Sequence, residues 1–348
     1  MVQDILSEHR VESAAGIAAA IGARDFTRCA ATVIGYGTMG KQHVRALRAL
    51  GVRQIRVCTR SADSLQELRA REGIEAVGGG VERLRCAPTP GELGIVATPI
   101  QALVPAAECL AALGFRRLLI EKPVSLWSQD IERLADALEP QGIDAVCAYN
   151  RIAYPAFHEV AARSAQEGGM TSCTYTFTEH PKPDWPARFL PEELARWGIA
   201  NSLHVMSMAH SLIGWPASWS GYRAGSLPWH PTGAVFAGAG VSDRHIPFSY
   251  HADWGSTGRW SIEVHTPVSS YRLCPLERVW RKTSASGEWE ELPIVAYAVS
   301  IKAGVLEQVA AALNPELRQQ ILLVTIRQAA TLTRYAEALF GYPGRRRD

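Results

Sequence analysis

The chain has 348 residues, 47% of them hydrophobic, so it can bury a large core and is long enough for about two domains. Its formal net charge of +2 argues against a nucleic-acid-binding or membrane-surface protein, and the basic end Arg345–Arg347 is expected to be a solvated tail. The seven cysteines are scattered without C-x-x-C spacing, which indicates neither a zinc site nor a disulfide framework. We therefore expect no metal and a reducing, cytoplasmic location.

The N-terminal part of the sequence carries no targeting signature. Asp4 and Glu8 interrupt it and no long apolar stretch follows, so we expect no signal peptide. No apolar run in the chain reaches the roughly 18 residues that a membrane-spanning helix needs. Residues 1–28 are expected to form an extension of one or two amphipathic helices, with a helix that stops at Gly22. Whether it packs on a domain, caps a subunit interface or stays partly disordered is open.

A glycine-rich turn between a predicted strand and a predicted helix is the strongest motif. Strand Ala30–Ile34 leads into G-x-G-x-x-G, and a helix over about Gly40–Leu50 follows. The first glycine permits the tight turn, the second lets backbone approach a pyrophosphate, and the third lets the helix pack on the strand. The pattern predicts a dinucleotide site. Its expected contacts here are Gly35, Tyr36, Gly37, Thr38, Met39 and Gly40.

The end of the next predicted strand, Gln54–Thr59, bears on which dinucleotide binds. An acidic residue at this position would bond the ribose hydroxyls of NAD, whereas arginine or a small hydroxyl residue accommodates the 2′-phosphate of NADP. This chain has Thr59, Arg60 and Ser61 there, and its first acid is Asp63. We therefore expect NADP as cofactor, with NAD as the alternative, because Arg60 stacked on an adenine would suit either.

Strands and helices keep alternating up to residue 151, which is typical of a doubly wound parallel sheet. Further strands are predicted over Leu93–Thr98, Arg117–Ile120 and Asp144–Ala148, and helices over about Asp63–Glu72, Gln101–Leu113 and Ser128–Leu138; Val81–Cys86 is ambiguous between strand and turn. Polar residues follow these strands where an open parallel sheet meets its ligand. The further cofactor contacts expected at this edge are Thr98, Pro99, Glu121, Lys122 and Asn150.

After Arg151 the pattern becomes β-rich. A helix over about Tyr154–Gln166 precedes runs at 171–178, 219–224, 233–241, 246–254, 259–265, 270–273 and, more weakly, 278–283; helices are expected over about 192–213 and 301–339, the latter broken near Asn314-Pro315. Successive β-rich runs imply a mostly antiparallel sheet. The expected fold is α/β: a Rossmann dinucleotide-binding domain (29–150), then an α+β substrate-binding and oligomerisation domain (151–348). We expect an aromatic-rich open sheet face that a partner subunit covers.

Several side chains could carry chemistry. Lys122 follows a parallel strand beside the expected nicotinamide position, where a desolvated lysine could bond a substrate oxygen and pass a proton; a surface lysine in a turn is the alternative. His204 could be an acid/base group or orient a substrate hydroxyl, although a helix histidine is commonly a packing residue. Aromatic and polar residues of the β-rich part suit a sugar face or, equally, sheet packing. Among these, the expected substrate contacts are Trp185, Tyr250 and Arg259.

From about Ala30 to its end the sequence resembles the Gfo/Idh/MocA family of pyridine-nucleotide oxidoreductases. The resemblance rests on I-G-Y-G-T-M-G-K-Q-H (34–43), A-T-P (97–99), I-E-K-P-V-S (120–125), Y-N-R (149–151) and A-N-S-L-H (200–204). Stretches 229–240 and 248–263 resemble a subgroup of bacterial surface-polysaccharide and sugar biosynthesis. The resemblance implies hydride transfer between nicotinamide and a sugar or nucleotide-sugar carbon, in homodimers or homotetramers joined through the open sheet face.

Carried over by position, Lys122 matches the family's catalytic lysine and His204 the histidine of its D-x-x-x-H motif. Asn150 and Arg151 match residues near nicotinamide and substrate. Two acids of the family pattern are replaced, by Ala200 and Ser207, which leaves His204 without an evident orienting partner; Asn201 or a tyrosine could substitute. We count Arg151, Asn201 and His204 as substrate-binding.

The expected function is an NAD(P)-dependent oxidoreductase acting on the CH–OH or C=O of a sugar-like substrate. Lys122 is expected to exchange the proton and His204 to assist. Two alternatives stay open. One is an enzyme that uses bound nicotinamide transiently for lyase or glycosidase chemistry, and the other is a non-catalytic dinucleotide-binding sensor, which the replacements at Ala200 and Ser207 favour.

Overall fold

The computed structural model describes residues 12–295 and 300–345. Residues 1–11 of the expected extension, and Arg346 and Arg347 of the basic end, lie outside the described residues. Within them, the chain forms two compact units. The first, called the parallel-sheet unit here, contains residues 18–153 and 300–330. The second, the antiparallel-sheet unit, contains residues 12–17, 154–295 and 331–345.

Strands and helices alternate through the first part of the chain. In order they are α1 (Ala14–Gly22), β1 (Ala30–Ile34), α2 (Thr38–Ala49), β2 (Gln54–Thr59), α3 (Ala62–Arg69), β3 (Ile74–Gly78), β4 (Leu93–Val96), α4 (Leu103–Ala112), β5 (Arg117–Glu121), α5 (Ser128–Leu138) and β6 (Asp144–Ala148). The expected strands at 30–34, 54–59 and 144–148 and the helix at 128–138 are confirmed at both ends, and α1 ends at Gly22 as predicted.

The later elements are richer in strands. They are α6 (Pro155–Gln166), β7 (Ser172–Phe177), α7 (Trp185–Arg188), α8 (Pro191–Ala195), α9 (Leu203–Ile213), β8 (Pro216–Ala224), β9 (Val235–Ser242), β10 (Pro247–Asp253), β11 (Trp260–His265), β12 (Ser269–Leu273), β13 (Val279–Thr283), β14 (Glu290–Leu292), α10 (Val305–Leu313), β15 (Val324–Thr325) and α11 (Ile326–Phe340). A π-helical turn, Gly198–Ser202, leads into α9.

The parallel-sheet unit has the strand order β15-β6-β5-β4-β1-β2-β3. Every pair is parallel except β15 with β6. The central strands β1 and β4 are buried at every position, as expected for strands with helices packed on both faces. The order reverses direction at β1, which confirms the doubly wound Rossmann expectation and places the carboxyl ends of the strands at one edge.

Two strands of this sheet were not expected: β3, and the two-residue β15, which lies inside the segment 301–339 that was predicted as helical. The edge strand β3 is only half-buried, so it lacks the apolar run that predicts a central strand. The ambiguous segment Val81–Cys86 holds a single helical turn, Val81–Arg83, rather than a strand.

Residues 300–330 were expected in the second domain, but they lie in the parallel-sheet unit. All nine residues of α10 are buried. β15 extends the sheet by pairing Val324 with Cys147, and the Arg117 guanidinium donates to the Leu313 carbonyl. Burial of an almost wholly apolar helix against this unit accounts for the difference, because a helical pattern alone does not say which domain its apolar face covers.

The antiparallel-sheet unit has the strand order β14-β13-β12-β11-β7-β10-β9-β8. All neighbours pair antiparallel except β10 with β7, which confirms the mostly antiparallel expectation.

The expectation of an aromatic-rich open face is wrong for the centre of this sheet. The large rings lie on the face that packs against helices: Tyr175 bonds Tyr335 of α11, and Phe177 and Phe236 contact Phe340. A row across the other face reads Arg272, Glu263, Thr174, Ser249, Ala239 and Ser220. Side chains alternate between the two faces along each strand. The apolar residues therefore pack against the helices, and the small and hydroxyl residues lie on the opposite face.

Among residues 12–295 and 300–345, no helix is both long and apolar enough to cross a membrane. The same residues contain no group of three or more His, Cys, Asp or Glu side chains placed to hold a metal ion.

Candidate functional site

The cofactor residues expected from sequence lie along one edge of the parallel sheet. Because β1, β2, β4, β5 and β6 run in the same direction, the segments that follow them meet at that edge. The structure therefore brings to it the predicted contacts Gly35–Gly40, Thr59, Arg60, Ser61, Thr98, Pro99, Glu121, Lys122 and Asn150.

Each glycine of the motif meets a different requirement. Gly35 has φ of +95°, and a Cβ there would lie 2.4 Å from the Ala97 carbonyl oxygen. A Cβ on Gly40 would lie 2.1 Å from the Gly35 carbonyl oxygen, so that glycine permits close packing of helix and turn. A Cβ on Gly37 would meet nothing within 4 Å. Gly37 is therefore not needed for packing within the described structure, and it leaves open space where backbone could face a ligand.

The turn presents donors to that space. Gly37 is the N-cap of α2 and provides no side-chain cap, and the first turn of the helix holds no acid. The first amides and the positive end of the helix dipole are therefore available to an anion. Thr98, after β4, contributes a buried hydroxyl that makes no hydrogen bond among the described residues. An open glycine, an uncapped helix N-terminus and an unpartnered hydroxyl on one edge fit a dinucleotide.

The end of β2 has the polar character that the sequence indicated. The Thr59 hydroxyl accepts from the Ser61 amide at 3.2 Å, and the Ser61 hydroxyl caps α3 through the Ser64 amide at 3.2 Å. Arg60 between them is exposed, with its methylenes beside Gly80. The arginine is the side chain of this turn that remains available to a phosphate or an adenine ring.

The end of β5 carries Glu121 and the half-buried Lys122. The Glu121 carboxylate, expected to contact cofactor, is held by His43 of α2: His43 Nε2 lies 2.7 Å from Glu121 Oε1, and both side chains are buried. Burial raises the pKa of the nearby Cys147 thiol, and the Glu121 charge raises it further. His43 thus joins the glycine helix to the residue before Lys122, a role that the sequence reasoning missed because 78 positions separate the pair.

Other expected contacts have structural partners of their own. The Asn150 amide donates to the Ala303 carbonyl at 2.9 Å and is buried, so it holds the segment before α10. The Tyr36 hydroxyl donates to Glu67 at 3.3 Å, and burial raises its pKa. Arg151 is half-buried in the turn after β6.

In the antiparallel-sheet unit, His204 lies on the first turn of α9 and is 5% exposed. Its ring centroid is 6.2 Å from that of Trp260 on β11. Ala200 and Ser207 provide no acid to this turn, and the Ser207 hydroxyl donates to the His204 carbonyl at 3.0 Å.

A carboxylate reaches this turn from elsewhere. Glu179, two residues past the end of β7, accepts from the Asn201 amide at 2.9 Å and from the Ser202 hydroxyl at 2.6 Å. The sequence reasoning missed Glu179, since a single acid after a β-rich run gives no sign of being buried.

The remaining expected substrate contacts lie in different surroundings. Trp185 is buried in a cluster of rings, 4.3 Å from Trp197 between centroids. Tyr250 packs on Tyr175 in the sheet core, at 5.9 Å between centroids, and burial raises its pKa. Arg259 is exposed beside Trp260, and its carbonyl accepts from Thr176. Tyr250 therefore has a packing environment, while the substrate roles of Trp185 and Arg259 stay predictions.

Solved structures share this fold over nearly the whole chain. Levoglucosan dehydrogenase in complex with NADH superimposes with a TM-score of 0.70 at 16% identity, covering 90% of this chain and 96% of that one. UDP-N-acetylglucosamine 3-dehydrogenase from Acidithiobacillus ferrooxidans gives 0.67 at 12% identity, covering 90% and 97%. An oxidoreductase from Agrobacterium radiobacter in complex with NAD+, L-tartaric acid and magnesium gives 0.69 at 15%, covering 90% and 96%.

No protein-family model matches the chain, and no curated protein matches it. Likeness at these identities shows the fold. The chain therefore has the two-part architecture of these oxidoreductases, a Rossmann unit and an α+β unit with a large open sheet.

Proposed function

We propose that this protein is an NAD(P)-dependent oxidoreductase of the Gfo/Idh/MocA type that acts on a hydroxyl or carbonyl of a sugar or nucleotide sugar. The observation that carries the proposal is the edge of the parallel sheet, where the open Gly37, the uncapped α2 and Lys122 occur together. The likeness of the fold to sugar dehydrogenases supports it.

Residues of the parallel-sheet unit would hold the cofactor. The Gly35–Gly40 backbone and the α2 amides would bind the pyrophosphate, and the unpartnered Thr98 hydroxyl would gain a partner. Arg60 would bind the 2′-phosphate of NADP, which we propose as the preferred cofactor over NAD. The bound nicotinamide would supply hydride transfer.

Lys122 would exchange the proton that accompanies this transfer. In the oxidative direction its neutral amine would take the proton of the substrate hydroxyl; in the reductive direction its ammonium would return a proton to the carbonyl oxygen. The His43–Glu121 pair would fix the backbone just before it. His204 would hold a second substrate hydroxyl. We also propose that copies of this chain associate through the open sheet face, as a homodimer or a homotetramer.

The substitution Lys122→Met tests the mechanism. Turnover of levoglucosan or UDP-N-acetylglucosamine, followed by nicotinamide absorbance, should fall about 10²- to 10⁴-fold, while the affinity for NADPH stays unchanged. Lys182→Met, at an exposed lysine, is the matched control and should keep full turnover. Full turnover in Lys122→Met would refute the assigned role. If the unmodified protein forms product without a net change in nicotinamide absorbance, the result would instead support the alternative in which bound nicotinamide is oxidised and reduced again within one lyase or glycosidase turnover.

A further inference from the structure

The buried carboxylate of Glu179 reaches the turn that carries His204. Glu179 is 4% exposed, and its two oxygens accept from the side chains of Asn201 and Ser202. Both partners belong to the π-helical turn Gly198–Ser202 that leads into α9. A residue from the end of β7 thus fixes two side chains directly before His204.

The chemistry of these contacts orients the Asn201 amide. An ionised carboxylate only accepts hydrogen bonds, so Asn201 must turn its nitrogen toward Glu179. That leaves its carbonyl oxygen, Oδ1, on the side away from the carboxylate. Asn201 is half-buried, and its Oδ1 makes no hydrogen bond to any residue of 12–295 or 300–345. Donation to a carboxylate also polarises the amide and strengthens Oδ1 as an acceptor.

We propose that Asn201, oriented by Glu179, is a specificity-determining residue whose Oδ1 accepts a hydrogen bond from a substrate hydroxyl. The proposal rests on the proposed function, and it narrows the substrate class. A fixed acceptor favours a polyol that carries a hydroxyl at this position. It disfavours an analogue with a carbonyl or carboxylate there, which would place two acceptors against each other.

Glu179 also offers a reason why the turn functions without the acids that the family pattern places at Ala200 and Ser207. A neutral amide backed by a buried carboxylate supplies an acceptor without an exposed charge on the turn. Glu179 acts through Asn201 and is a positioning residue.

Selective ¹⁵N labelling of asparagine tests the orientation without any need for activity. The chain has three asparagines: Asn150, Asn201 and Asn314. Asn150 is a bonded control, since its amide nitrogen donates to the Ala303 carbonyl at 2.9 Å. Asn314 is an unbonded control, since its Oδ1 accepts from the Glu316 amide and its nitrogen has no partner among the described residues.

We expect the Asn201 amide protons to exchange with solvent as slowly as those of Asn150. Glu179→Leu should accelerate this exchange at least about tenfold, the factor that corresponds to loss of one hydrogen bond. Ser202→Ala removes the hydroxyl that donates to Glu179 Oε1, leaves the Asn201 contact in place and should leave the exchange slow. Wild-type exchange as fast as that of Asn314 would overturn the proposed orientation.

Kinetics test the contact with substrate. Asn201→Leu removes Oδ1, and we expect KM for whichever of levoglucosan and UDP-N-acetylglucosamine is turned over to rise about tenfold or more, with kcat within about threefold. Glu179→Leu should raise KM in the same way. If NADPH binds and the sugar is turned over but Asn201→Leu leaves KM unchanged, this inference fails while the proposed function stands. If neither dinucleotide binds, the proposed function fails, and the exchange measurement still decides the orientation.

Discussion

The two candidate sites differ in the groups that form them, which are backbone groups in one and side chains in the other. In the parallel-sheet unit, the cradle at Gly35–Gly40 consists of backbone, and its three glycines occur within six consecutive residues. In the antiparallel-sheet unit, the turn before His204 depends on side chains, and its carboxylate comes from Glu179, 22 and 23 positions before its partners. A backbone site leaves a local signature in sequence, whereas a side-chain network assembled by folding does not.

The difference also affects what a substitution can disturb. Gly37 has open space around it, so a side chain added there would affect ligand binding rather than packing. Glu179 and Ser202 are buried and hydrogen-bonded to each other, so a substitution at either would alter both the stability of the fold and the proposed substrate contact. The predictions below separate these effects in each unit.

Among the predictions that follow from this comparison, the largest effect is expected from adding the same methyl group at two glycines. Gly37→Ala should weaken NADPH binding by roughly 10- to 100-fold, because the methyl fills the space for pyrophosphate, and should change the free energy of unfolding by less than about 1 kcal/mol. Gly40→Ala should lower the free energy of unfolding by about 1–3 kcal/mol, because its Cβ would lie 2.1 Å from the Gly35 carbonyl oxygen. Titration and urea unfolding check both. Unchanged NADPH binding in Gly37→Ala would contradict the claim that the Gly35–Gly40 backbone binds the pyrophosphate.

The second prediction concerns how stability changes with pH, which should differ between the two units. In the antiparallel-sheet unit, burial lowers the pKa of His158, His210 and His230 to about 4. The unfolded chain takes up these protons near pH 6.5 but the folded unit does not, so stability should fall between pH 6.5 and 4 by about 1.4 kcal/mol per pH unit for each histidine. In the parallel-sheet unit, burial raises the pKa of Glu307 to about 7, which acts in the opposite direction between pH 7 and 4.5.

Urea unfolding at pH 6.5, 5.5 and 4.5, followed by tryptophan fluorescence, measures this dependence, since every tryptophan except Trp127 lies in the antiparallel-sheet unit. His158 is the residue to replace, because its Nε2 has no partner among the described residues. His158→Leu should reduce the slope by about 1.4 kcal/mol per pH unit. An identical slope in the variant would show that His158 is not buried in its neutral form.

The smallest expected effect concerns cofactor choice. Arg60→Ala should lower the ratio of NADP to NAD affinity about tenfold, because one phosphate contact is lost. Arg53, exposed just before β2 and so at the opposite edge of the sheet, provides the matched control. Arg53→Ala should leave the ratio unchanged. A ratio that Arg60→Ala does not alter would favour adenine stacking over phosphate binding.

Sequence predicted the Rossmann sheet well because its strands are short apolar runs with clear breaks. β3 was missed because a half-buried edge strand lacks that pattern, and the position of α10 was missed because an apolar helix does not specify its partner. Among the site residues, Thr98 and Lys122 each follow a parallel strand, and this position alone was enough to predict that they lie at one edge of the sheet. The His43–Glu121 and Glu179–Asn201 contacts join distant segments, so only the folded chain brings them together.

The central claim is that the Gly35–Gly40 turn holds a pyridine dinucleotide. Titration calorimetry of the purified protein with NADPH and with NADH tests it most directly. We expect one site per chain with a dissociation constant of roughly micromolar order, and tighter binding of NADPH. Absence of measurable binding for both dinucleotides would contradict the account.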